Sequence, residues 1–521
     1  MMFNDTYHLS LLWKKGAESC FVMDDQNFDD LNMNDFLNLY KPKYQDEYRA
    51  YLKNIPTDIE TIVYRQGIMS DIIDNDFLLD VFKEAGDKCA YMSSLVKFAY
   101  ERDATVYNLL KRIEESEHVM TLVEYLYKHL SENNILSEGL VVFRDMLKDI
   151  IYSDIYTNYK DDMGSIKKMD GRVRSIKIGM NFDENLKPVE AIVLSLDEQP
   201  FRYTRAFKQT GRMIGGGIKM LRRLPRRIFA PETLIPTDEL SVLEQLLEPA
   251  LKQLIQFCDL FNQSLLSFME EVLEDITFYN MLHEFFRLMV DNNVPVTKPV
   301  FGDHIDITSF CNVNLLSKMI KTKTTDQMVY NNFATDEGER CFILTGANRG
   351  GKTTITQGIG QICLMGQLGA YIPAKTASLK AIDGLYLLFP TKETISAQYG
   401  RLGEECKRFS DIFGKLTSGS LLLMNETFVG TSHLESLVIA KETMKALYDT
   451  KCMVLYNTHL HELVTELATD DDQRSFISLV NGSEAAHGSF VMRRAEPLGK
   501  SYAIEIAHKY GVSYEQLIGQ S

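Results

Sequence analysis

Long apolar runs are missing from this sequence. No uncharged apolar stretch reaches the roughly 18 positions needed to cross a bilayer, so no membrane partner is expected. A secretory leader is not expected either: the opening MMFNDTYHLSLLWKKGAESC places a short apolar patch before its lysines, the reverse of a signal peptide's order. Paired cysteines are missing too. The eight cysteines, at 20, 89, 258, 311, 341, 363, 406 and 452, form no CxxC pair. A disulfide framework or a zinc site is left without support, and reduced thiols in a cytoplasmic protein are the simple reading. Positive charge is in deficit, with 56 Lys and Arg against 72 Asp and Glu and a net charge of −16. That excludes a chain that coats nucleic acid with its whole surface but leaves room for one local basic region.

What is present suits a multi-domain globular chain: 521 residues, 45% hydrophobic and 25% charged, enough for two or three cores. Residues 1–55 mix acids (Asp24, Asp25, Asp29, Asp30, Asp35) with aromatics and read as a small appendage. Residues 56–300 read as a helical core and lever domain. Ile59, Ile62, Ile72, Leu79 and Phe82, then Leu109, Ile113, Val119, Leu122 and Leu126, recur at helical spacing. A β-containing insertion interrupts this domain at about 170–230, beginning with two β-branched runs around the turn-rich FDENLKP, the pattern of a hairpin. A second long stripe follows in 249–292: Leu254, Phe257, Phe261, Leu265, Phe268, Val272, Ile276 and Tyr279, with Pro249 suited to a first turn. A continuous helix there would run roughly 65 Å, the length of a lever. Residues 301–521 alternate strands with helices, as an α/β domain with a largely parallel sheet does.

Three segments of that last domain carry chemistry. CFILTGANRGGKTT (341–354) is an apolar strand, a G-x4-G-K-T loop and a helix start, the context a phosphate loop requires. Gly346, Ala347, Asn348, Arg349, Gly350 and Gly351 shape a cradle of backbone N–H groups, and Lys352, Thr353 and Thr354 open the helix with its positive dipole end. Lys352 suits the β- and γ-phosphates and the Thr353 hydroxyl suits Mg²⁺, so ATP and Mg²⁺ are the expected cofactors. SLLLMNETFVGTS (420–432) is a buried strand that delivers Asn425 and Glu426. An acidic pair is usual at such a strand end. Here the metal-side position is the neutral Asn425, which should weaken metal binding or slow hydrolysis, and Glu426 is the candidate general base. MVLYNTHLHELV (453–464) is another apolar strand, ending at Thr458 and His459, where an imidazole can meet a γ-phosphate or the attacking water. His461 and Glu462 read as a solvated helix start rather than as zinc ligands, which would stand at i and i+4.

In this order and spacing the segments resemble the MutS family of mismatch-repair ATPases. TGANRGGKTT is similar to that family's TGPNMGGKST, Gly369–Ala374 to its G-x-F-V-P-A turn, MNETFVGTS to its DE-x-G-R-G-T-S, NTHLHEL to its A-T-H-Y-x-E-L, and GKSYAIEIAHKYGVS to a segment near its end. The likeness is specific over about 325–515 and visible again at 58–82. It implies an ABC-type P-loop ATPase that works as a dimer, here a homodimer, with each nucleotide held between one subunit's loop and the other's signature helix. By position, ISAQYGRLGEECKRFSDIF matches the signature region, making Gly400, Arg401, Gly403 and Glu405 candidates for the partner's γ-phosphate; an ordinary exposed helix is the alternative. Asn348 matches the family's loop asparagine, and Val329 and Tyr330 fall where the family packs adenine. The sequence departs from the pattern in Asn425, in having no room for mismatch-reading and connector domains, and in ending without a helix-turn-helix. The resemblance implies ATP-dependent DNA binding in mismatch repair or a related process. A nucleotide-gated protein scaffold with slow or no turnover remains the alternative.

Residues 200–230 hold nine Lys or Arg and no acid. Arg202, Arg205, Lys208, Arg212, Lys219, Arg222, Arg223, Arg226 and Arg227 suit phosphate contacts with duplex or branched DNA. Interleaved Phe201, Tyr203 and Phe207 could stack on bases. The family places its DNA clamp here; a solvated loop that pairs with the acidic body is the competing reading. Replacing Arg222, Arg223, Arg226 and Arg227 by alanine is expected to flatten the slope of log affinity against log salt by ~0.9 per lost duplex-phosphate contact. Fluorescence anisotropy at several salt concentrations measures that slope, and an unchanged slope assigns the stretch to a solvated loop.

Overall fold

The computed structural model describes residues 7–16, 19–97, 106–167, 175–184, 188–197, 199, 237–346, 350–390, 400–469, 475–481, 490–496, 510–511 and 514–518. The chain opens with β1 (Cys20–Val22), α1 (Asp25–Asp30), α2 (Met33–Leu37), α3 (Pro42–Lys53), β2 (Asn54–Pro56) and α4 (Ile59–Asp74). Helices α5 (Phe77–Lys97), α6 (Val106–Glu132), α7 (Glu138–Ile151) and α8 (Asp154–Lys167) follow, then β3 (Ser175–Phe182), β4 (Pro188–Asp197) and the 55-residue α9 (Thr237–Asp291). The rest is β5 (Val300–Phe301), β6 (Asp306–Phe310), α10 (Val313–Thr322), β7 (Asn331–Ala334), β8 (Cys341–Gly346), α11 (Lys352–Gln367), β9 (Thr376–Leu379), β10 (Gly384–Leu388), α12 (Gly400–Phe413), β11 (Ser420–Asn425), α13 (His433–Thr450), β12 (Met453–Asn457), α14 (Glu462–Thr469), β13 (Ile477–Asn481), β14 (Met492–Arg494) and α15 (Tyr514–Ile518). Among the described residues, no helix is long and apolar enough to cross a membrane.

By contact the chain forms two compact units, each discontinuous in sequence. One comprises Met1–Leu9, Phe77–Ile135 and Leu140–Glu274; the other comprises Ser10–Asp76, Leu136–Gly139 and Asp275–Ser521. Among its described residues the first is helical apart from the antiparallel β3–β4 hairpin, which flanks the turn-rich FDENLKP. Its core includes Val119, Leu122 and Leu126 of α6, Phe143 of α7 and Phe261, Leu265 and Phe268 of α9, with Phe143 and Phe268 6.1 Å apart between ring centres. Tyr159 of α8 packs on Phe261 at 4.4 Å between ring centres. The fully buried Arg112 pairs with Glu115 and with Asp259, 3.5 Å away.

Helix α9 differs from the expected lever at its start. It begins at Thr237, so Pro249 lies inside the helix and not in its first turn. Leu240, Leu243, Leu246 and Leu247 extend the helical spacing upstream of the proline, and that periodicity outweighs one missing backbone donor. The apolar stripe is buried from Phe261 to Tyr279, whereas Leu254 and Phe257 are exposed. The basic stretch 201–230, with every proposed DNA contact, lies outside the described residues.

The second unit is built on a six-stranded sheet in the order β10-β11-β12-β8-β13-β14, parallel except for β14. Its central strands read as unbroken apolar runs because helices cover both faces. On one face Cys341, Ile343, Leu422, Met424, Val454 and Tyr456 pack with Ala440, Met444 and Leu447 of α13. On the other, α11 comes so close that a Cβ on Gly360 would meet Leu423 at 2.6 Å. A four-stranded sheet, β5-β9-β6-β7, adjoins it in the same unit. Helix α4 starts at Asp58, whose carboxylate accepts from the Thr61 amide at 2.6 Å, an N-cap. Helix α13 starts at Ser432, which accepts from the Glu435 amide.

Residues 10–56 are part of this second unit. Glutamines of α11 hold the segment by its backbone: Gln361 donates to Leu31 O at 3.0 Å, Gln357 to Asp30 O at 2.8 Å and Gln367 to Pro56 O at 2.7 Å. Phe28, Leu31, Met33, Phe36 and Leu52 are fully buried. The apolar side chains among the acids of this segment are core residues. Phe36 meets Phe285 edge to face at 5.1 Å. Phe36→Ala is therefore expected to cost about 3–5 kcal/mol of stability, read as the shift in a urea unfolding midpoint; a surface appendage would show no shift.

Candidate functional site

Three parallel strands end side by side, β8 running on to Gly346 past the ends of β11 and β12. Leu344 of β8 stands beside Asn457 of β12, and Asn457 stands beside Asn425 of β11. In an open parallel sheet the space beyond the carboxyl ends of the strands is where ligands bind. Gly346 ends β8 with φ 144°, and a Cβ there would lie 2.2 Å from the Asn481 carbonyl oxygen of β13. Only glycine tolerates both the angle and the approach. Gly351 then caps α11, which starts at Lys352. Lys352 is 4% exposed and donates to Gly346 O at 3.0 Å. Burial pushes its pKa down, opposed by the charge of Glu426. A helix N-terminus and a buried ammonium group aimed at one space suit an anion.

The β11 end supplies oxygen ligands. Thr353 Oγ1 donates to Asn425 Oδ1 at 2.9 Å, and Asn457 Nδ2 donates to the same oxygen. Asn457 Oδ1 is buried and has no hydrogen-bond partner among the described residues. Glu426 follows with φ 47°, a left-handed backbone that a non-glycine residue keeps only where its surroundings enforce it. His459 Nε2 donates to Glu426 Oε1 at 2.8 Å. That hydrogen bond outweighs burial and holds the Glu426 carboxyl below its usual range, with the charges of His459, Lys352 and Arg401 adding to it.

Gly351, Lys352, Thr353 and Glu426 border a cavity of about 520 Å³. Lys352, Thr353, Thr354 and Glu426 stand at its polar side with Gly350 and Gly351; Phe310, Leu315, Met319, Val329 and Phe490 make it apolar elsewhere. Hydroxyl, amide and carboxylate oxygens are the donors a magnesium ion prefers. An apolar wall beside a cationic cradle fits a base attached to phosphates. The residues present thus fit both expected cofactors.

Of the sites anticipated from sequence, Gly346, Gly350, Gly351, Lys352, Thr353, Thr354, Val329, Asn425, Glu426 and His459 come together here. Ala347, Asn348 and Arg349 lie outside the described residues. Tyr330 is half-buried and is not among the cavity-lining residues. Gly400, Arg401 and Gly403 lie on the first turn of α12. Glu405 is not on an exposed face. It is buried, and its carboxylate accepts from the Phe428 amide of its own chain at 2.7 Å. His433 takes up Glu462 at 3.4 Å, and among the described residues no cluster of His, Cys, Asp and Glu could hold a metal. Sequence reasoning missed Asn457, Asn331 and Asn481. Asn457 was detectable as the polar end of an apolar strand; Asn331 and Asn481 join the site only through strand pairing and leave no local signal.

The described chain is a helical region followed by a mixed α/β domain, consistent in general terms with a MutS-like ATPase architecture. Residues 342–518 match MutS domain V, and residues 57–288 match the MutS2 N-terminal domain. The DNA mismatch repair protein MutS of Thermotoga maritima is 23% identical over 482 residues, covering 90% of this chain and 55% of that protein. The MutS of Thermotoga sp. (strain RQ2) is 23% identical over 484 residues with the same coverage. The MutS of Sorangium cellulosum is 30% identical over 182 residues, 34% of this chain and 19% of its own length. The chain spans about half the length of the Thermotoga relatives. It has family-level similarity to MutS-like proteins, and its match to MutS domain V carries the potential for nucleotide binding and ATP hydrolysis.

The contact at Gly346 yields a direct test. Gly346→Ala is expected to force β8 away from β13 and to lower stability by ~1–3 kcal/mol, measured by urea denaturation. An unchanged midpoint would mean that the strand has room for a side chain.

Proposed function

We propose that this protein is an ATP-dependent DNA-binding protein of the MutS type. It binds and hydrolyses Mg-ATP where two copies of the chain meet, and nucleotide state controls a helical DNA clamp in mismatch repair or a related repair or recombination process. The observation that carries this reading is the meeting of Lys352, Thr353 and Glu426 around one cavity, with Asn425 bonded to Thr353 and Glu426 paired to His459.

The residues divide the work. The turn from Gly346 to Gly351, with Ala347, Asn348 and Arg349, wraps the phosphates; Lys352 and the α11 terminus balance their charge. Val329 packs the base. Thr353, Asn425 and Glu426 would hold the metal through oxygen, and it would supply positive charge against the phosphates. Glu426, kept ionised by His459, accepts a proton from the attacking water. Leu434 and Val438, one turn apart on α13, are exposed and offer an apolar face to a second copy. Gly400, Arg401 and Gly403 at the start of α12 are the groups offered to that copy's nucleotide. On the DNA side, Arg205, Lys208, Arg212, Lys219, Arg222, Arg223, Arg226 and Arg227 contact phosphates, and α9, which belongs to both units, links their grip to the nucleotide.

A second reading, a nucleotide-gated scaffold with slow or no turnover, is favoured by one observation: Asn425 puts a neutral amide beside Thr353. Two measurements separate the readings. Coupling between two ligands is reciprocal in binding free energy, so ATP affinity should change when duplex, branched or mismatched DNA is added; no response to any of them removes the DNA half of the proposal. Glu426→Gln should lower kcat by ~10²–10⁴, retain ATP affinity and trap the DNA-bound state. A scaffold would work as well with glutamine at that position as with glutamate. Asn425→Asp should lower the magnesium concentration needed for half-maximal turnover, and an unchanged requirement would place the metal away from that side chain.

A further inference from the structure

The turn that carries Glu426 is held from three elements. From β12, Asn457 O accepts the Glu426 amide at 2.8 Å and Tyr456 donates to Thr427 O at 3.0 Å. From α13, Ser436 donates to Phe428 O at 2.7 Å. From α12, Glu405 accepts the Phe428 amide at 2.7 Å through one oxygen and Arg401 Nε at 3.0 Å through the other. Phe428 has φ 63°, so the turn contains two non-glycine residues in the left-handed region within three positions. Such a backbone persists only when over-determined by its surroundings. The turn also runs hard against α12: a Cβ on Gly430 would stand 3.3 Å from the Leu402 amide nitrogen. Glu405 is 6% exposed, in a helix whose other acids, Glu404 and Asp411, are not buried, and a buried carboxylate is kept where its hydrogen bonds compensate for lost water.

We propose that Glu405 is a positioning residue: by holding the Phe428 amide it fixes the turn that aims Glu426, so that a shift of the first turn of α12 withdraws the carboxylate from its water. Glu405 thus acts within its own chain, and Arg401 is the side chain through which an event at the exposed start of α12 reaches it. The proposal rests on the reading of Glu426 as the base, and its test carries one arm that does not depend on turnover.

The test compares Glu405→Ala and Glu405→Gln in the full-length chain by amide hydrogen exchange at Phe428, Mg-ATP affinity and kcat. A hydrogen bond to a charged acceptor is lost in the alanine variant, so exchange at Phe428 should rise about tenfold or more and kcat should fall about tenfold or more, with ATP affinity within about twofold. Glu405→Gln keeps an acceptor oxygen and should restore both. Unchanged exchange and kcat in Glu405→Ala overturn the proposal. So does a joint loss of kcat, ATP affinity and protection across the unit, which marks a purely structural role, and so does failure of glutamine to rescue. If the unsubstituted chain turns over no ATP, the reading of Glu426 falls, and exchange at Phe428 alone still decides whether Glu405 holds the turn.

Discussion

Hydrogen bonding between parallel strands sets Asn457 between Leu344 and Asn425, and the chemistry of the site follows from that register. The turn that carries Gly350 and Gly351 follows β8, Glu426 leaves β11 and His459 follows β12, so three segments far apart in sequence converge because their strands end side by side. A slip of one residue would turn Asn425 to the other face of the sheet. What prevents the slip is burial on both sides: Leu422 and Met424 pack under α13 while Leu423 packs under α11. The apolar core is therefore also the device that aligns the polar groups.

The same edge shows how one substitution redistributes its electrostatics. Where two acids are usual, the chain has Asn425 and Glu426. The amide oxygen of Asn425 accepts from both Thr353 and Asn457, so it is ordered without carrying charge. The negative charge at the strand end rests on Glu426, and His459, Lys352 and Arg401 all stabilise it there. Burial acts on Lys352 in the opposite sense, lowering its pKa. A cation eased toward neutrality by its surroundings gains most when a polyanion arrives.

The parts legible in sequence were those with local patterns. The loop at 346–353, the apolar strands before Asn425 and His459, and the hairpin before residue 198 each announce themselves over a dozen residues. The N-terminal segment was not legible, because its hold on the second unit runs through Gln357, Gln361 and Gln367, more than three hundred positions away. Acids at the surface of 24–35 masked the fully buried Phe28, Leu31, Met33 and Phe36 between them. Glu405 was found by position, yet its direction was not, since whether a helical carboxylate faces a partner or its own chain is a question of tertiary packing. The start of α9 was misplaced because Pro249 looks like a first-turn residue and the leucines before it carry the helix further.

The central claim is that the space bounded by Lys352, Thr353 and Glu426 holds a nucleoside triphosphate. Calorimetric titration of the purified chain with ATP and magnesium tests it most directly. The account predicts saturable binding that ADP competes for and that Lys352→Ala abolishes; a folded, contaminant-free chain with no affinity for any nucleoside triphosphate would contradict it.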